Sequence, residues 1–270
     1  MMISILGCGW YGRALASALL QKGVVVKGST TSAGSLAQLE AIAVHPYLIK
    51  FGSDSEIIDP DFFQSDVLII SIPPKFKAGG GEGYPDKIRR IIAACLEYQV
   101  KKVIYISSTA VYGEHNAEVN ELDEPKPDTI SGAILLEAEK LFRNETSFKT
   151  TIIRFGGLIG PGRHPGRFFA AKVGIPNGLA PVNLVHLSDC VAICTAIIVK
   201  NAFGYLFNAC LPDHPPKGDF YREMSLDTHL QVPVFIHELK NWKIVNSINL
   251  TRILSYNFII DQLQGQHFDL

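Results

Sequence analysis

Apolar and polar positions along the first 155 residues follow two recurring forms. Short runs that are apolar almost throughout read as strands: ISILG (3–7), VVVKG (24–28), YLIKF (47–51), DVLIISI (66–72), KKVIYIS (101–107) and TTIIRF (150–155). Between them, apolar residues recur every three or four positions over 13–23, 35–43, 84–99 and 135–142, and these stretches read as helices. Gly23 closes the first helix, and a glycine-rich loop, KAGGGEG (77–83), precedes the third. Strands that are apolar on both faces need cover on both sides. The pattern therefore predicts an α/β fold with a doubly wound parallel sheet.

Beyond residue 155 the alternation breaks. Gly- and Pro-rich turns (GLIGPGRHPG) lead to one apolar helix over 188–200, then to shorter mixed elements ending in LTRILSYNFIIDQLQ. There is no internal repeat, low-complexity tract or long linker. The expected plan is a core over 1–155, to which 184–204 returns, with a small C-terminal lobe from 156–183 and 205–270 packed over the strand ends.

The first strand–helix junction reads Gly7-Cys8-Gly9-Trp10-Tyr11-Gly12, a GxGxxG pattern with a second strand following inside the βαβ span. Gly7 permits the tight turn, Gly9 leaves room for a diphosphate against the backbone, and Gly12 lets the helix close on the strand. The first helical amides, those of Trp10 and Tyr11 among them, then face the phosphates with a partial positive charge. This is the fingerprint of a Rossmann-type dinucleotide site. It predicts NAD(H) or NADP(H).

The end of the second strand bears on which one. An NAD site places Asp or Glu there to hold the ribose hydroxyls. This chain has Gly28-Ser29-Thr30-Thr31-Ser32 and no acid until Glu40. Ser29, Thr30 and Thr31 can hydrogen-bond a 2′-phosphate, and no carboxylate repels one. No Arg or Lys clamp follows the strand, and Lys27 precedes its end. NADP(H) is favoured over NAD(H).

Composition narrows the partners. With 47% hydrophobic residues, 19% charged and a formal net charge of −1, the chain has no basic field for nucleic acid or anionic lipid. Neither partner is expected. The five cysteines (Cys8, Cys95, Cys190, Cys194, Cys210) are an odd number without a CxxC pair and read as small core residues of a reduced, cytoplasmic protein. No metal site is predicted. No apolar run is long enough to span a bilayer, and Arg13 interrupts the opening stretch that could otherwise pass for a signal peptide.

Further motifs extend the glycine fingerprint. They are Ser71-Ile72-Pro73-Pro74 after the fourth strand and Ser107-Ser108-Thr109-Ala110-Val111-Tyr112-Gly113 after the fifth. Arg154, Gly160-Pro161-Gly162-Arg163 and His186-Leu187-Ser188-Asp189 follow. Taken together, the chain resembles the extended and atypical short-chain dehydrogenases/reductases, the branch of the nucleotide-sugar epimerases and dehydratases. The resemblance implies that Ser71, Ile72 and Pro73 run past the nicotinamide-side ribose. It implies too that Ser108 is the catalytic hydroxyl that polarises a substrate carbonyl or alcohol. Thr109 and Ala110 stand where the family's dehydratases carry an acidic pair, which argues against a sugar dehydratase. His186 and Asp189 are implied to be architectural.

One part of the family pattern is missing. Its chemistry uses a Tyr and a Lys four residues later on one helix face, the Lys lowering the tyrosine pKa for proton transfer. Aligned on Glu139, those places hold Ser131 and Leu135. The YxxxK formed by Tyr98 and Lys102 lies upstream of Ser108 and runs into the fifth strand, so the two cannot share a helical face. Tyr112, His115 and Ser131 are the candidate replacements, with Tyr112 placed beside Ser108 as the expected catalytic pair.

The expected activity is that of an NAD(P)-binding oxidoreductase or epimerase-like protein acting on a small carbonyl, hydroxyl or nucleotide-sugar-type substrate. The alternative is a catalytically inactive NADP(H)-binding sensor or scaffold. Helical surfaces over 84–99 and 135–142 offer faces for a homodimer.

Overall fold

The computed structural model describes residues 1–270 except 53–54, 75–80, 82, 264, 266–267 and 269–270. The predicted glycine-rich loop at 77–83 lies mostly outside the described residues.

The six predicted strands form, as β1 (Met2–Leu6), β2 (Val25–Thr30), β3 (His45–Leu48), β4 (Val67–Ile70), β5 (Lys102–Ser108) and, after a short β6 (Ala117–Val119), β7 (Lys149–Phe155). Next come β8 (Gly157–Ile159), β9 (Leu184–His186), β10 (Leu206–Ala209) and β11 (Lys243–Val245). The helices are α1 (Trp10–Leu20), α2 (Leu36–Glu40), α3 (Pro60–Phe63), α4 (Tyr84–Glu97), α5 (Ile130–Asn144), α6 (Leu187–Val199), α7 (Lys217–Asp227) and α8 (Ile248–Leu254).

Seven strands make one parallel sheet in the order β10-β7-β5-β4-β1-β2-β3. Alternate residues of its strands point to opposite faces, as the two-residue strand period requires. Ile69 joins Leu15, Leu19, Ile193 and Ile197 beneath α1 and α6, whereas Leu68 and Ile70 join Ile88, Ile91, Ala138 and Phe142 beneath α4 and α5. Both faces are covered, which is why these strands contain so few polar residues. The chain winds outward from β1 to β3 and then returns to β4 on the other side. The crevice at that reversal, between the ends of β1 and β4, is where open α/β sheets bind ligands.

Helix starts differ from the expectation for local reasons. α1 begins three residues early because the glycine turn itself is its cap, with Gly9 at the N-cap. α5 begins at Ile130 because the Thr129 hydroxyl accepts the Gly132 N–H at 3.1 Å. The Ser131-Gly132 pair obscures the apolar period there, so only 135–142 stood out.

The division of the last third needs correction. Residues 206–209 form β10, the seventh strand of the main sheet, and not part of the lobe. α8 likewise sends Leu250 and Leu254 into the core beside α6. A four-residue strand without flanking periodicity gave no sequence signal. The lobe proper is centred on a separate apolar cluster that includes Ile159, Val182, Leu184, Phe220, Tyr221, Met224 and Phe268. It is tied together by bridges between Ile175 and Phe235 and between Pro181 and Pro216. Among the described residues, no helix is long and apolar enough to cross a membrane.

Candidate functional site

The ends of β1, β2 and β4 open a cleft of about 520 Å³. Its floor is the glycine turn, and each glycine has its own geometric reason. Gly7 adopts φ +91°, and a Cβ there would sit 2.6 Å from Ile72 Cγ2 and 2.8 Å from the Ser71 carbonyl oxygen. At Gly12 a Cβ would come within 2.9 Å of the Gly7 oxygen, so α1 closes on the end of β1 only without one. Around Gly9 the opposite holds: a Cβ would meet nothing within 4 Å and would point into open space. That space lies at the positive end of α1, whose first turn carries no acidic residue. The turn is pinned from the second strand, since Ser29 Oγ accepts the Gly7 N–H at 3.0 Å and the Ser29 carbonyl accepts the Cys8 N–H at 2.8 Å.

Gly7, Gly9, Ser29, Thr30, Thr31, Ser71, Ile72 and Pro73 all line the cleft. The side chains of Trp10 and Tyr11 do not. Trp10 reaches away to donate its indole N–H to the Pro161 carbonyl at 2.8 Å. Tyr11 packs edge-on against Phe155 at 5.1 Å, and burial holds its phenol well above the usual pKa. Any part these two take in holding phosphates rests on their backbone amides.

Sequence reasoning missed the charges. Arg13, Lys50 and Lys87 line the cleft, and no described lining residue is a carboxylate. Arg13 sits one turn into α1, with its guanidinium donating to Gln38 Oε1 at 3.3 Å, close to the end of β2. It follows the last glycine of the turn directly. A clamp for a 2′-phosphate can thus come from α1 as well as from the loop after β2. Lys50 and Lys87 come from the ends of β3 and α4 and reach the cleft only through the tertiary fold.

At the end of β5 the expectations part company. Ser108 is half-buried, and its hydroxyl accepts the Ala110 N–H at 3.2 Å at the start of a short 3₁₀ turn. Tyr112, expected beside Ser108 as a catalytic residue, is instead buried in the core, out of reach of a substrate. Its hydroxyl accepts from Arg154 Nη1 at 2.6 Å and is within reach of the Asn120 carbonyl (2.8 Å) and Asn208 Oδ1 (3.2 Å). Burial raises its pKa against the opposing pull of Arg154. Arg154 also forks onto Glu139, with Nε at 2.9 Å and Nη2 at 2.5 Å, and Ser107 Oγ donates to the same carboxylate at 2.6 Å. Ser107, Glu139, Arg154 and Tyr112 thus form one closed network inside the protein.

The places of the missing pair hold neither a tyrosine nor a lysine. Ser131 lies in the first turn of α5, 3.2 Å from the Thr129 hydroxyl, and Leu135 is buried in the core. Gly132 brings this turn so close to the Ala110 carbonyl that a Cβ would lie 2.2 Å from it. His115 is exposed and bonds the Lys126 carbonyl at 2.9 Å through Nε2. α4 ends at Glu97 and Lys102 opens β5, so Tyr98 and Lys102 share no helix.

His186 caps α6 through Nδ1, which accepts the Ser188 N–H at 3.2 Å. Asp189 is fully buried and holds the C-terminal segment through the Tyr256 hydroxyl and the Ile259 N–H, both at 2.7 Å. All five cysteines are buried and unpaired, and burial raises every thiol, Cys8 to about 11 and Cys95 and Cys194 to about 12. They are unreactive packing groups near neutral pH. Among the described residues no group of three or more His, Cys, Asp or Glu side chains is arranged to hold a metal.

Comparison with known proteins agrees with this geometry. The NAD(P)H-binding family matches residues 7–175. Protein YeeZ of Escherichia coli (strain K12) is 34% identical over 245 residues, 89% of either chain. An uncharacterized UDP-glucose epimerase of Bacillus subtilis (strain 168), YtcB, is 25% identical over 126 residues, 42% of this chain and 40% of its own. Among solved structures, MoeE5 in complex with UDP-glucose and NAD superposes with a TM-score of 0.78 at 17% identity, over 96% of this chain and 94% of its own. UDP-N-acetylglucosamine 4-epimerase from Bacillus cereus gives 0.76 at 14% identity, over 96% and 92%. The chain belongs to the NAD(P)H-binding family, built on the Rossmann-type fold of the short-chain dehydrogenase and nucleotide-sugar epimerase structures.

Proposed function

We propose that the protein is an NADP(H)-dependent oxidoreductase or epimerase-like enzyme acting on a small carbonyl, hydroxyl or nucleotide-sugar-type substrate. The observation that carries this reading is the cleft itself. It is lined by Arg13, Lys50 and Lys87, by the hydroxyls of Ser29, Thr30, Thr31 and Ser35, and by no carboxylate among its described residues. A site of that charge suits a ligand with three phosphates and gives no acidic partner for a free 2′-hydroxyl.

The residues fit the dinucleotide. The open face of Gly9 and the first amides of α1 would take the diphosphate, and Arg13 with Thr30 and Thr31 the 2′-phosphate. Ser71 to Pro73 would border the nicotinamide-side ribose. Bound there, the nicotinamide supplies a hydride donor or acceptor. The Ser108 hydroxyl would orient the substrate oxygen, and a proton would pass through the Ser131 hydroxyl or through water. YtcB and MoeE5, named above with UDP-glucose, support a nucleotide sugar as the first substrate class to try.

A second reading has an observation of its own. Tyr112 is sealed in the core and Leu135 replaces the lysine, as in a dinucleotide-binding protein that senses cofactor state without turnover. Calorimetry with NADPH and NADH, followed by NADPH oxidation across aldehydes, ketones and nucleotide sugars, separates the two. NADPH is expected to bind at least about tenfold more tightly than NADH, and Arg13→Ala to remove that difference, the loss of one charge-assisted contact. Turnover that falls about 100-fold in Ser108→Ala supports the enzyme. Tight binding with no turnover on any substrate leaves the sensor. Equal affinity for both dinucleotides in the wild type would refute the NADP(H) preference.

A further inference from the structure

At the end of β5 the lysine of the family pattern is missing. Leu135 stands in its place, and Arg154 is locked onto Glu139. A different cation arrives from the far end of the chain. Lys243 opens β11, and its Nζ donates to the Tyr112 carbonyl at 2.5 Å, 131 positions away. Tyr112 closes the 3₁₀ turn that Ser108 begins, its N–H bonding the Thr109 carbonyl at 3.1 Å. The first turn of α5, which carries Ser131, packs through Gly132 on the Ala110 carbonyl in the middle of that same turn. With about 2 Å of rise per residue, such a turn spans about 8 Å from Ser108 to Tyr112. Ser108, Ser131 and the Lys243 ammonium are thus gathered on one short segment.

Lys243 is held there by its backbone. Its carbonyl accepts Asn183 Nδ2 at 2.8 Å, Asn183 Oδ1 accepts the Val245 N–H at 2.8 Å, and the Asn183 carbonyl accepts the Gly157 N–H just beyond β7 at 2.8 Å. An ammonium has three N–H donors, and Tyr112 takes one. Among the described residues no carboxylate is paired with it. Glu114 and Asp128, both exposed, act on it from further out, and the buried Cys210 thiol is its other titratable neighbour. Partial burial lowers the Lys243 pKa against the opposing pull of the two carboxylates.

We infer that Lys243 is the proton source for the substrate oxygen held at Ser108, with the Ser131 hydroxyl or a water as the carrier. The inference rests on the enzyme reading and names the donor which that reading leaves open. In a reduction, the hydride adds to the carbonyl carbon and the carbonyl π pair moves to oxygen. That oxygen then gains the proton released by the ammonium, giving an alcohol and a neutral amine, which water reprotonates.

The first test needs no turnover. With ¹³C at the lysine Cε positions, an NMR titration should show one signal that shifts at lower pH than the others and is missing from Lys243→Arg. A Lys243 signal that titrates together with the exposed lysines overturns the inference. The second test compares Lys243→Met and Lys243→Arg with wild type on the substrate that turns over with NADPH. In both variants kcat is expected to fall about 100-fold and NADPH affinity to stay within twofold. The alkaline decline of kcat in the wild type should vanish in both. Arginine keeps the charge and can still bond the Tyr112 carbonyl, but it does not release a proton. Wild-type kcat in Lys243→Arg would therefore make Lys243 a prop for the turn, and overturns the inference. A wild type that binds NADPH but turns over no substrate overturns the enzyme reading itself, and this inference with it.

Discussion

The turn after β1 and the end of β5 lie at the same end of the parallel sheet, but they are made of different materials. The turn is backbone: Gly7 is fixed by its positive φ and by the Ile72 contact, Gly12 by its closeness to the Gly7 oxygen, and Gly9 by the space in front of it. The end of β5 is side chain: Ser107, Tyr112, Glu139 and Arg154 bond to one another and leave little for a substrate. No other residue type can replace a glycine held at φ +91° against a neighbour. A tyrosine and a lysine on a helix face can become Ser131 and Leu135 with the fold intact. Cofactor binding is thus the hard part to lose, and the proton relay the easy part.

Breaking the buried network should give the largest effect. Glu139→Ala strands Arg154 without its carboxylate and is expected to lower stability by about 3–5 kcal/mol in urea unfolding, since removing one member leaves a buried, uncompensated charge. The double variant Glu139→Met with Arg154→Met should recover most of that loss. A single variant that unfolds at the wild-type urea concentration would show that the end of β5 is looser than described.

The two glycines at the turn sharpen the contrast next. Gly7→Ala is expected to lose about 2–3 kcal/mol, because the new methyl meets Ile72 at a positive φ. Gly9→Ala should keep its stability to within about 1 kcal/mol, as its methyl meets no protein atom. Its NADPH affinity should nonetheless fall about tenfold or more, where the methyl crowds a diphosphate. Should the two variants behave alike in both assays, the division of labour within the turn is wrong.

The smallest effect is alkaline and spreads over the whole core. Cys8, Cys95 and Cys194 keep their protons in the folded chain to about 11, 12 and 12, whereas an unfolded thiol titrates near 9. Folded pKa values raised above the unfolded ones give stability that is complete below pH 9 and is lost as pH climbs from 9 towards 11. The sign follows because the unfolded state binds fewer protons in that window. Thermal melts from pH 7 to 10.5 should show a flat region and then a decline, shallower in Cys95→Val. A flat profile to pH 10.5 would mean that the thiols are not buried.

The sheet core was legible because it depends on local pattern. Six apolar runs, four helical periods and one GxGxxG at a strand end suffice to predict a doubly wound parallel sheet and its cofactor turn. β10 escaped because four residues between turns carry no period, and its place is fixed only by pairing with β7. Tyr112 misled because the motif places it beside Ser108 in sequence but says nothing of direction, and the 3₁₀ turn at Thr109–Val111 carries it into the core. Arg13 carries no signal of its own in the sequence, since its contact with Gln38 depends on how α1 lies against α2. Chemistry carried by side chains is set by the tertiary fold, and the linear spacing conveys only part of it.

The seventh strand bears on how such a protein can change. β10 and α8 come from the last quarter of the chain and complete the sheet edge opposite β3, packing on the face shared with α1 and α6. No single cut separates nucleotide half from lobe, and a fragment ending before residue 206 would expose the β7 edge and the underside of α6. New specificity therefore has to enter as insertions in the connections from β8 to β9 and from β10 to β11. The scaffold behaves as a fixed socket with two exchangeable loops, and its descendants should differ in loop length there long before they differ in the sheet.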